Sequence, residues 1–538
     1  MLFLDPASYQ KMAERILAGA GLGNRAYIRT PGYFYLLAFL EWLGKGSLWS
    51  PRIFQAFIDA LSCGLVGIFA FQLSKRAWVG AISGLISACY WLGIYFPGEL
   101  LITTSICFLN LLLIFCLSFS SLEKTRNLVL LGLLSALSAM LRPNILLFVL
   151  AVFLWWLVRK KYRQALVYLS VVWLGIMPAL VRNLVVAKDP VLISSQAGIN
   201  FWIGNNPGAD GRSVVLPIKR RQVEAGFLKK MQDQLWFEET IWLVSVYLAE
   251  KETGRELKEG QVNHFWLKKT LGEIKSELFP WLKLFLKKIY YLIDKTEVSN
   301  NRDLKSHCQK IPLLRILEHF HLGWFLPLGI FGFLLCLFKP EFRYLNLYLI
   351  FYALSVVLFF VNSRYRMPLI YPLAIYSGLG AERLLGLIQE RRKFFLGGGL
   401  AILGVLYFLS NYPLVQWNDA SLRSALHYNL GLELAKKGQY EQAIKELKTV
   451  VQLKPDFPEA YLILANIYAG RREYQNARWY YSRALTLAPD YAVAHYNLGL
   501  CLLSLRKPAE AYDHLLQAHL LAPELFPAPE KVLEKLTR

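Results

Sequence analysis

Three arginines, Arg142, Arg364 and Arg366, stand beside long apolar stretches of the chain, in short loops that hold no other cation. A guanidinium group is planar and binds phosphate through two parallel hydrogen bonds. The positions of these arginines therefore predict that they bind a phosphate-bearing ligand at the edge of the membrane. Arginines at such an edge also anchor helices to lipid headgroups, and both interpretations stay open.

A basic amphipathic stretch runs from about His264 to Ile293, where aromatic and aliphatic residues alternate with lysines. Such a pattern is typical of a helix that lies at the membrane interface. We expect Lys287 or Lys288 to lie near the phosphate of an anionic lipid carrier, whereas most lysines of this stretch should meet lipid headgroups.

Asp59 lies about two helical turns inside an apolar stretch. A carboxylate is costly in hydrocarbon, so we expect Asp59 to face a polar cavity or to pair with a cation such as Arg52. A functional role and a purely structural role are both open for this residue.

The composition identifies the class of protein that must position these groups. The chain has 538 residues, of which 55% are hydrophobic and 14% aromatic, and its mean hydropathy is +0.35. This is too apolar for an ordinary soluble protein and predicts an integral membrane protein. We predict ten spans, near residues 52–73, 77–95, 101–119, 128–141, 144–158, 165–186, 321–338, 345–362, 367–387 and 394–412.

Lysines and arginines in alternate short loops predict the orientation, because such cations are retained in the cytoplasm. The basic loops contain Lys75, Lys124, Arg159, Arg343 and Arg391. The opposite side is then the outer one, and it receives residues 1–50, the long segment 187–310 and the C-terminal tail. A chain that begins outside without a preceding apolar segment suggests that Met1 is an internal start and that an eleventh span lies upstream.

The net charge of +22 is spread over span ends and the outer segment. Membrane topology and anionic lipid therefore account for it, and no nucleic-acid partner is expected. The seven cysteines show no disulfide framework and no metal-ligand spacing.

The tail from about 424 to 523 repeats every 34 residues, with prolines at Pro455, Pro489 and Pro523. Small residues recur in the same register, at positions 431, 465 and 499 and at 443, 477 and 511. This pattern predicts tandem tetratricopeptide repeats, whose stacked helix pairs form a concave surface for a protein or peptide partner. The repeats could instead only stabilise or dimerise the chain.

Four stretches of the chain resemble the GT-C superfamily of polytopic glycosyltransferases, whose bacterial members include relatives of the protein O-mannosyltransferases and of the aminoarabinose transferase. The first is the N-terminal segment from Leu4 to Tyr9 with the later Thr30-Pro31-Gly32-Tyr33. The others are Gly204–Gly211, Glu297–Asn301 and Arg364–Pro368, which are similar to a bacterial subgroup with tetratricopeptide repeats at the same end.

The resemblance implies an enzyme of the bacterial inner membrane that passes sugar from a polyprenyl-phosphate carrier to an acceptor at the outer face, with inversion. It implies Asp5 as the base or acceptor-orienting residue. Glu99 is a candidate for the second carboxylate, because it lies in a tight outer turn that should be near the same face. Tyr9 and Glu297 are further site candidates, because they lie within the resembling segments. Pro6 stands where relatives often have a second acidic residue, which argues against the strict protein O-mannosyltransferase subtype.

For the donor phosphate the candidates are Arg142, Arg364 and Arg366, which break the charge-sorting rule, and Lys288 of the amphipathic stretch. Whether a divalent metal takes part stays open. Displacement at an anomeric carbon needs a carboxylate that accepts a proton or binds a metal, and cations that receive the phosphate charge. Asp5 could alternatively be a helix N-cap, and Glu99 a solvated turn residue.

The predicted fold is all-α, with a polytopic GT-C-like body and a C-terminal repeat solenoid. We divide the chain into an outer first loop (1–50), transmembrane helices (51–186), an outer segment (187–310), further transmembrane helices (311–415) and a repeat domain (421–538). Two alternatives remain, an oligosaccharide polymerase or ligase of the O-antigen type and a non-enzymatic membrane scaffold for envelope proteins.

Overall fold

The computed structural model describes residues 5–212, 240–298, 311–412 and 420–537, and the regular secondary structure of these residues is helical. The all-α fold class is thereby confirmed. Residues 299–301 of one predicted motif lie outside the described residues. The backbone of Asp5 begins the first helix, but its side chain also lies outside the described part.

The described chain up to residue 212 forms a bundle followed by a short helix. Its helices are α1 (Asp5–Leu17), α2 (Gly32–Leu43), α3 (Trp49–Ser74), α4 (Ala77–Cys89), α5 (Trp91–Gly98), α6 (Thr103–Phe119), α7 (Thr125–Leu141), α8 (Ile145–Val158), α9 (Tyr162–Ala187) and α10 (Ala197–Asn205).

The remaining helices complete the outer segment, the bundle and the tail. They are α11 (Thr240–Thr253), α12 (Glu259–Ser276), α13 (Leu278–Ile293), α14 (Pro312–Leu317), α15 (Leu322–Cys336), α16 (Arg343–Val357), α17 (Ser363–Gln389), α18 (Lys393–Asn411), α19 (Ala420–Lys436), α20 (Tyr440–Leu453), α21 (Pro458–Gly470), α22 (Tyr474–Leu487), α23 (Ala492–Ser504), α24 (Pro508–Leu521) and α25 (Pro529–Thr537).

Several helices could span a membrane. Within the described residues, α3, α9 and α18 are long and apolar enough, and α4 with α5 would be a fourth span if this pair, bent by 52° at Tyr90, crosses as one. The helices at the other predicted spans are shorter or more polar. Helices of 14 to 17 residues, such as α6, α7 and α8, rise only about 21–26 Å, less than the roughly 30 Å of a hydrocarbon core.

Helix α17 is the centre of the bundle, and every residue from Arg366 to Gly380 is buried. It packs tightly on α15, because a Cβ atom at Gly332 would lie 2.0 Å from the Tyr376 carbonyl oxygen. Small residues permit such backbone contact in membrane bundles, where close packing drives helix association. The cap of α17 is Asn362, whose Oδ1 atom accepts a 3.0 Å hydrogen bond from the Tyr365 amide.

Helix α13 is amphipathic, as its sequence predicts. Trp281, Lys288 and Tyr291 face the protein, and Lys288 and Tyr291 are buried there. Large apolar side chains are exposed along the opposite face, namely Leu278, Phe279, Leu282, Leu286 and Ile289. A row of exposed apolar residues on a helix next to a membrane bundle is typical of the interfacial position that the sequence predicts for α13.

The tail consists of antiparallel helix pairs, as the 34-residue period predicts. Pro455, Pro489 and Pro523 each stand two residues after the end of a second helix, at α20, α22 and α24. Ala443, Ala477 and Ala511 are fully buried between paired helices, which explains the need for small residues in that register.

Replacing Gly332 with Ala should destabilise the bundle, because the added methyl group would push α15 away from the Tyr376 carbonyl group. The matched control is Gly404→Ala on α18, where nothing lies within 4 Å of the added atom. The control should be neutral or stabilising by up to about 1 kcal/mol, and Gly332→Ala should cost about 1–3 kcal/mol. Thermal unfolding of the detergent-solubilised chain measures both, and equal shifts would contradict the packing.

Candidate functional site

Three separate segments of the chain meet at the N-terminal end of α17. They are Gly204–Arg212, Asp294–Val298 and Asn362–Arg366, and we call their meeting point the motif junction. The Val361 amide donates to the Gly211 carbonyl oxygen (2.8 Å), and the Ser363 amide donates to that of Val298 (3.1 Å). The structure thus brings together the three later stretches on which the sequence resemblance rests.

Arg366 is enclosed in the motif junction, with 3% of its surface exposed. Its Nη1 atom donates to the carbonyl oxygens of Tyr291 (3.1 Å) and Asp294 (2.6 Å). Its Nη2 atom donates to the Thr296 carbonyl oxygen (3.2 Å) and forms an ion pair with Glu297 Oε2 (2.6 Å). Protein atoms therefore occupy most of the donors of this guanidinium group.

Glu297 connects this ion pair to two helices. Its Oε1 atom accepts a 2.5 Å hydrogen bond from the Tyr90 hydroxyl group, at the break between α4 and α5. Its Oε2 atom accepts from the Ser363 hydroxyl group (2.7 Å) in the first turn of α17. The carboxylate is thus held by a cation and two hydroxyl groups, as buried charges require.

A second buried ion pair, between Arg212 and Asp294, lies beside the first. The Arg212 guanidinium group stacks over the Tyr291 ring, 3.6 Å from its centroid. Asp294 Oδ1 also accepts from the amide and hydroxyl groups of Thr296, at 3.1 Å each. Sequence reasoning missed Arg212 and Asp294, although each directly adjoins a segment it had singled out.

Lys288 is fully buried beneath the Gly204–Arg212 segment. Its Nζ atom donates to Asn205 Oδ1 (2.9 Å), which also accepts from the Trp281 indole nitrogen (2.8 Å). Burial lowers the pKa of Lys288 from 10.5 to about 7, since a low-dielectric environment disfavours the charged amine. Its predicted contact with a phosphate stays a prediction.

Arg142 lies in the turn between α7 and α8, with 5% of its surface exposed. Its guanidinium carbon stands 4.4 Å from the centroid of the Tyr365 ring. Both terminal nitrogens are buried and make no hydrogen bond of 3.5 Å or less within the described residues, although the Tyr352 hydroxyl group lies close to them. The turn is fixed from the N-terminal segment, because the Thr30 hydroxyl group donates to the Leu141 carbonyl oxygen (2.7 Å).

The first turn of α6 carries further unpartnered polar groups. The hydroxyl groups of Thr103, Thr104 and Ser105 are buried and have no hydrogen-bond partner in the described part of the chain. Cys107, one turn later on the same helix, lies close enough to Arg142 to be affected by its charge. A helix N-terminus also carries a partial positive charge, so this region is suited to an anion.

Arg364 is buried next to Arg142, and both approach Tyr365. Its guanidinium carbon lies 5.3 Å from the ring centroid, and its Nη2 atom donates to the Tyr365 hydroxyl oxygen (3.4 Å). Tyr365 therefore lies between two arginines of the predicted phosphate set, while Arg366 points into the motif junction.

Glu99 and Tyr9 belong to a second cluster, at the N-terminal segment, and are linked there through Gln55 and Tyr33. Glu99 is buried, so the interpretation as a solvated turn residue was wrong. Gln55 Nε2 donates to the Glu99 carbonyl oxygen (2.8 Å), and Gln55 Oε1 accepts from Tyr33 (3.1 Å). The Tyr33 ring packs edge-on against Tyr9, with centroids 5.0 Å apart. Asp5 precedes Tyr9 by one turn of α1.

Asp59 accepts a hydrogen bond from the Tyr371 hydroxyl group of α17. The alternative of pairing with Arg52 was wrong, since Arg52 Nε donates to the Gly98 carbonyl oxygen (3.0 Å). The seven residues between them correspond to about two turns, or 10 Å along α3, which separates the two side chains. A hydroxyl partner therefore satisfies this intramembrane carboxylate.

The motif junction and the N-terminal cluster are separate sites that two elements connect. Helix α5 connects Tyr90, at the motif junction, with Glu99, and its eight residues cover about 12 Å. Thr30 provides the second connection, through the Arg142 turn. The described residues contain no group of three or more His, Cys, Asp or Glu side chains arranged to hold a metal ion.

Comparison with known proteins identifies the tail. Models described as TPR repeat and tetratricopeptide repeat match residues 431–470 and 458–491. The chain is also 32% identical over 81 residues to the human protein O-mannosyl-transferase TMTC1, and this match covers 15% of the chain and 9% of that relative. The C-terminal region is therefore an array of tetratricopeptide repeats, and a weak partial similarity to a glycosyltransferase accompanies it.

Replacing Lys288 with Met should change how stability depends on pH. The unfolded chain holds this proton up to about pH 10.5 and the folded chain releases it near pH 7. Between these values the unfolded state binds more protons, so stability rises with pH. From pH 7 to 9 the native chain should gain up to about 2.7 kcal/mol relative to Lys288→Met.

Thermal unfolding at several pH values measures this difference. Lys275→Met is the matched control, because Lys275 is exposed on α12. The control should follow the native chain, and an identical pH profile for Lys288→Met would show that the buried amine keeps its ordinary pKa.

Proposed function

We propose that this protein is a membrane glycosyltransferase of the GT-C type. It transfers a sugar from a polyprenyl-phosphate donor to an acceptor hydroxyl group on the extracytoplasmic side, with inversion at the anomeric carbon. The partial similarity to a protein O-mannosyl-transferase supports the transferase class. The buried cations beside the bundle support a sugar donor that carries phosphate.

The observation that carries the proposal is the state of Arg142. A buried guanidinium group with both terminal nitrogens unpartnered leaves a charge uncompensated, which costs several kcal/mol. The Tyr365 ring fixes its plane, and the partners it needs are two oxygens of an anion. A phosphate group satisfies that geometry in a bidentate manner, and the α6 hydroxyl groups supply further donors.

The arginines then have different roles. Arg142 binds the donor phosphate, and Arg364 flanks the same Tyr365 ring. Arg366 acts as a positioning residue, because its hydrogen bonds hold the segment before α17 in place. Lys288 supports the Gly204–Arg212 segment through Asn205.

The reaction needs a carboxylate at the acceptor. In our proposal Asp5 accepts the proton of the acceptor hydroxyl group as its oxygen attacks the anomeric carbon. The bond from that carbon to the phosphate oxygen breaks, and the electron pair leaves with the lipid phosphate, where Arg142 stabilises the charge. Glu99 and Tyr9 line the same N-terminal cluster and orient the acceptor.

One observation favours a second enzyme class. His321 lies close enough to Glu297 to be affected by its charge, so a histidine is near the motif junction. An oligosaccharide polymerase or ligase would use outer arginines with such a histidine. The scaffold alternative is not favoured, because a scaffold needs neither an unpartnered buried arginine nor two buried ion pairs beside it.

The repeat array has its own proposed role in binding a protein or peptide segment. Asn497 Nδ2 donates to Asn466 Oδ1 (3.0 Å), which also accepts from the Tyr481 hydroxyl group (2.7 Å). These amides come from the first helices of successive pairs. Such side chains recognise peptide backbone groups, which fits a concave repeat surface.

Arg142→Gln and Asp5→Asn should each lower transfer of labelled sugar by at least about 100-fold, because each removes a charge that stabilises the transition state. The measurement incubates purified protein with a panel of radiolabelled polyprenyl-phosphate sugars. Arg159→Gln, an exposed arginine at the end of α8, is the control and should keep full activity.

The two enzyme classes give different results. Loss of transfer in His321→Gln with retained transfer in Asp5→Asn would support the polymerase or ligase. Unchanged turnover in Arg142→Gln would contradict the proposed phosphate site in either class.

A further inference from the structure

A cleft of about 230 Å³ lies between the end of α12, the start of α13 and the loop that follows α10. It is separate from Arg142 and from the N-terminal cluster. Sites for drug-sized ligands usually have about 300–1,000 Å³. This cleft is therefore suited to a small group, such as a lipid headgroup or one sugar ring.

Two pairs of opposite charge line the cleft. Glu273 and Glu277 stand one turn apart at the end of α12, and Lys283 and Lys287 stand one turn apart on α13. Among the described residues, no ion pair joins these carboxylates to these amines. The cleft thus presents separate negative and positive sides, which match a ligand that carries both charges.

Only one carboxylate oxygen of Glu273 accepts a hydrogen bond within the described residues. Its Oε1 atom accepts a 3.3 Å hydrogen bond from the Trp202 indole nitrogen. Its Oε2 atom is buried and has no hydrogen-bond partner within the described residues. An unsatisfied buried acceptor costs about 1–3 kcal/mol, so a ligand that donates hydrogen bonds from a cation would stabilise this wall.

The apolar part of the cleft is held in place by a hydrogen bond. Trp281 lines it, and its indole nitrogen is held by Asn205 Oδ1 at 2.8 Å. The same helix exposes Phe279, Leu282 and Leu286 on its other face. In the interfacial position predicted for α13, the cleft is at the depth of lipid headgroups, and acyl chains can follow the exposed face.

We propose that this cleft binds the headgroup of an ethanolamine phospholipid. The primary ammonium group donates hydrogen bonds to Glu273 and Glu277, and the phosphate pairs with Lys283 and Lys287. A choline headgroup has no N–H donor for Glu273 Oε2, and a glycerol headgroup has no cation. The site is distinct from Arg142 and from the N-terminal cluster, and it borders the Gly204–Arg212 segment through Asn205. Its test measures lipid binding and does not depend on sugar transfer.

Native mass spectrometry of the detergent-solubilised full chain tests this proposal. The probes are phosphatidylethanolamine, phosphatidylcholine and phosphatidylglycerol with identical acyl chains. The native protein should retain phosphatidylethanolamine about ten-fold more tightly than either of the others, a difference of about 1.4 kcal/mol. The double variant Glu273→Gln with Glu277→Gln should reduce that preference to within about two-fold.

Two further variants complete the design. Glu277→Gln alone affects an exposed side chain, so it keeps the test valid if the double variant unfolds, and it should weaken the preference in part. Lys275→Ala lies outside the cleft and should leave the preference unchanged. Equal retention of ethanolamine and choline lipids by the native protein would overturn the proposal, and so would displacement of the lipid by a free disaccharide.

Discussion

The buried ion pair between Arg366 and Glu297 is the interaction on which the site depends. Burying two charges costs several kcal/mol for each ion, and the pair persists only if its remaining hydrogen bonds are satisfied. Here three backbone carbonyl groups accept from the terminal nitrogens of Arg366, and the hydroxyl groups of Tyr90 and Ser363 donate to Glu297. Because these partners come from the α4–α5 break, the segment after α13 and the start of α17, one interaction fixes all three.

The position of the unpartnered cation follows from this constraint. Tyr365 precedes Arg366 by one residue, so the ion pair sets where the Tyr365 ring stands. That ring in turn carries Arg142 on its face. The terminal nitrogens of Arg366 are therefore occupied by protein atoms, which makes this arginine rigid, whereas those of Arg142 are the ones that we propose for the ligand. Rigid placement of charge before the ligand arrives is what electrostatic catalysis requires.

The sequence was most informative where a period or a composition directly dictates structure. The 34-residue repeat predicted the helix pairs and the places of their prolines, and every predicted span coincides with helical structure. It was less informative on length, since α8 has only 14 residues. The partners of Asp59 and Arg52 could not be predicted, because they come from elements distant in the chain.

The roles of individual charges were the least predictable feature. Arg364 and Arg366 look equivalent in the sequence, yet Arg366 donates to carbonyl groups at and after the end of α13. Only the folded chain brings those carbonyl groups to Arg366. Lys288 looks like one more interfacial lysine until its burial is seen. A double-mutant cycle on Glu297→Gln and Arg366→Gln, followed by thermal unfolding, tests the central interaction most directly. We predict that each single change costs about 3–5 kcal/mol and that the double variant loses at least about 1 kcal/mol less than their sum. Additivity within about 0.5 kcal/mol would show that the two side chains do not stabilise each other, and it would contradict this account.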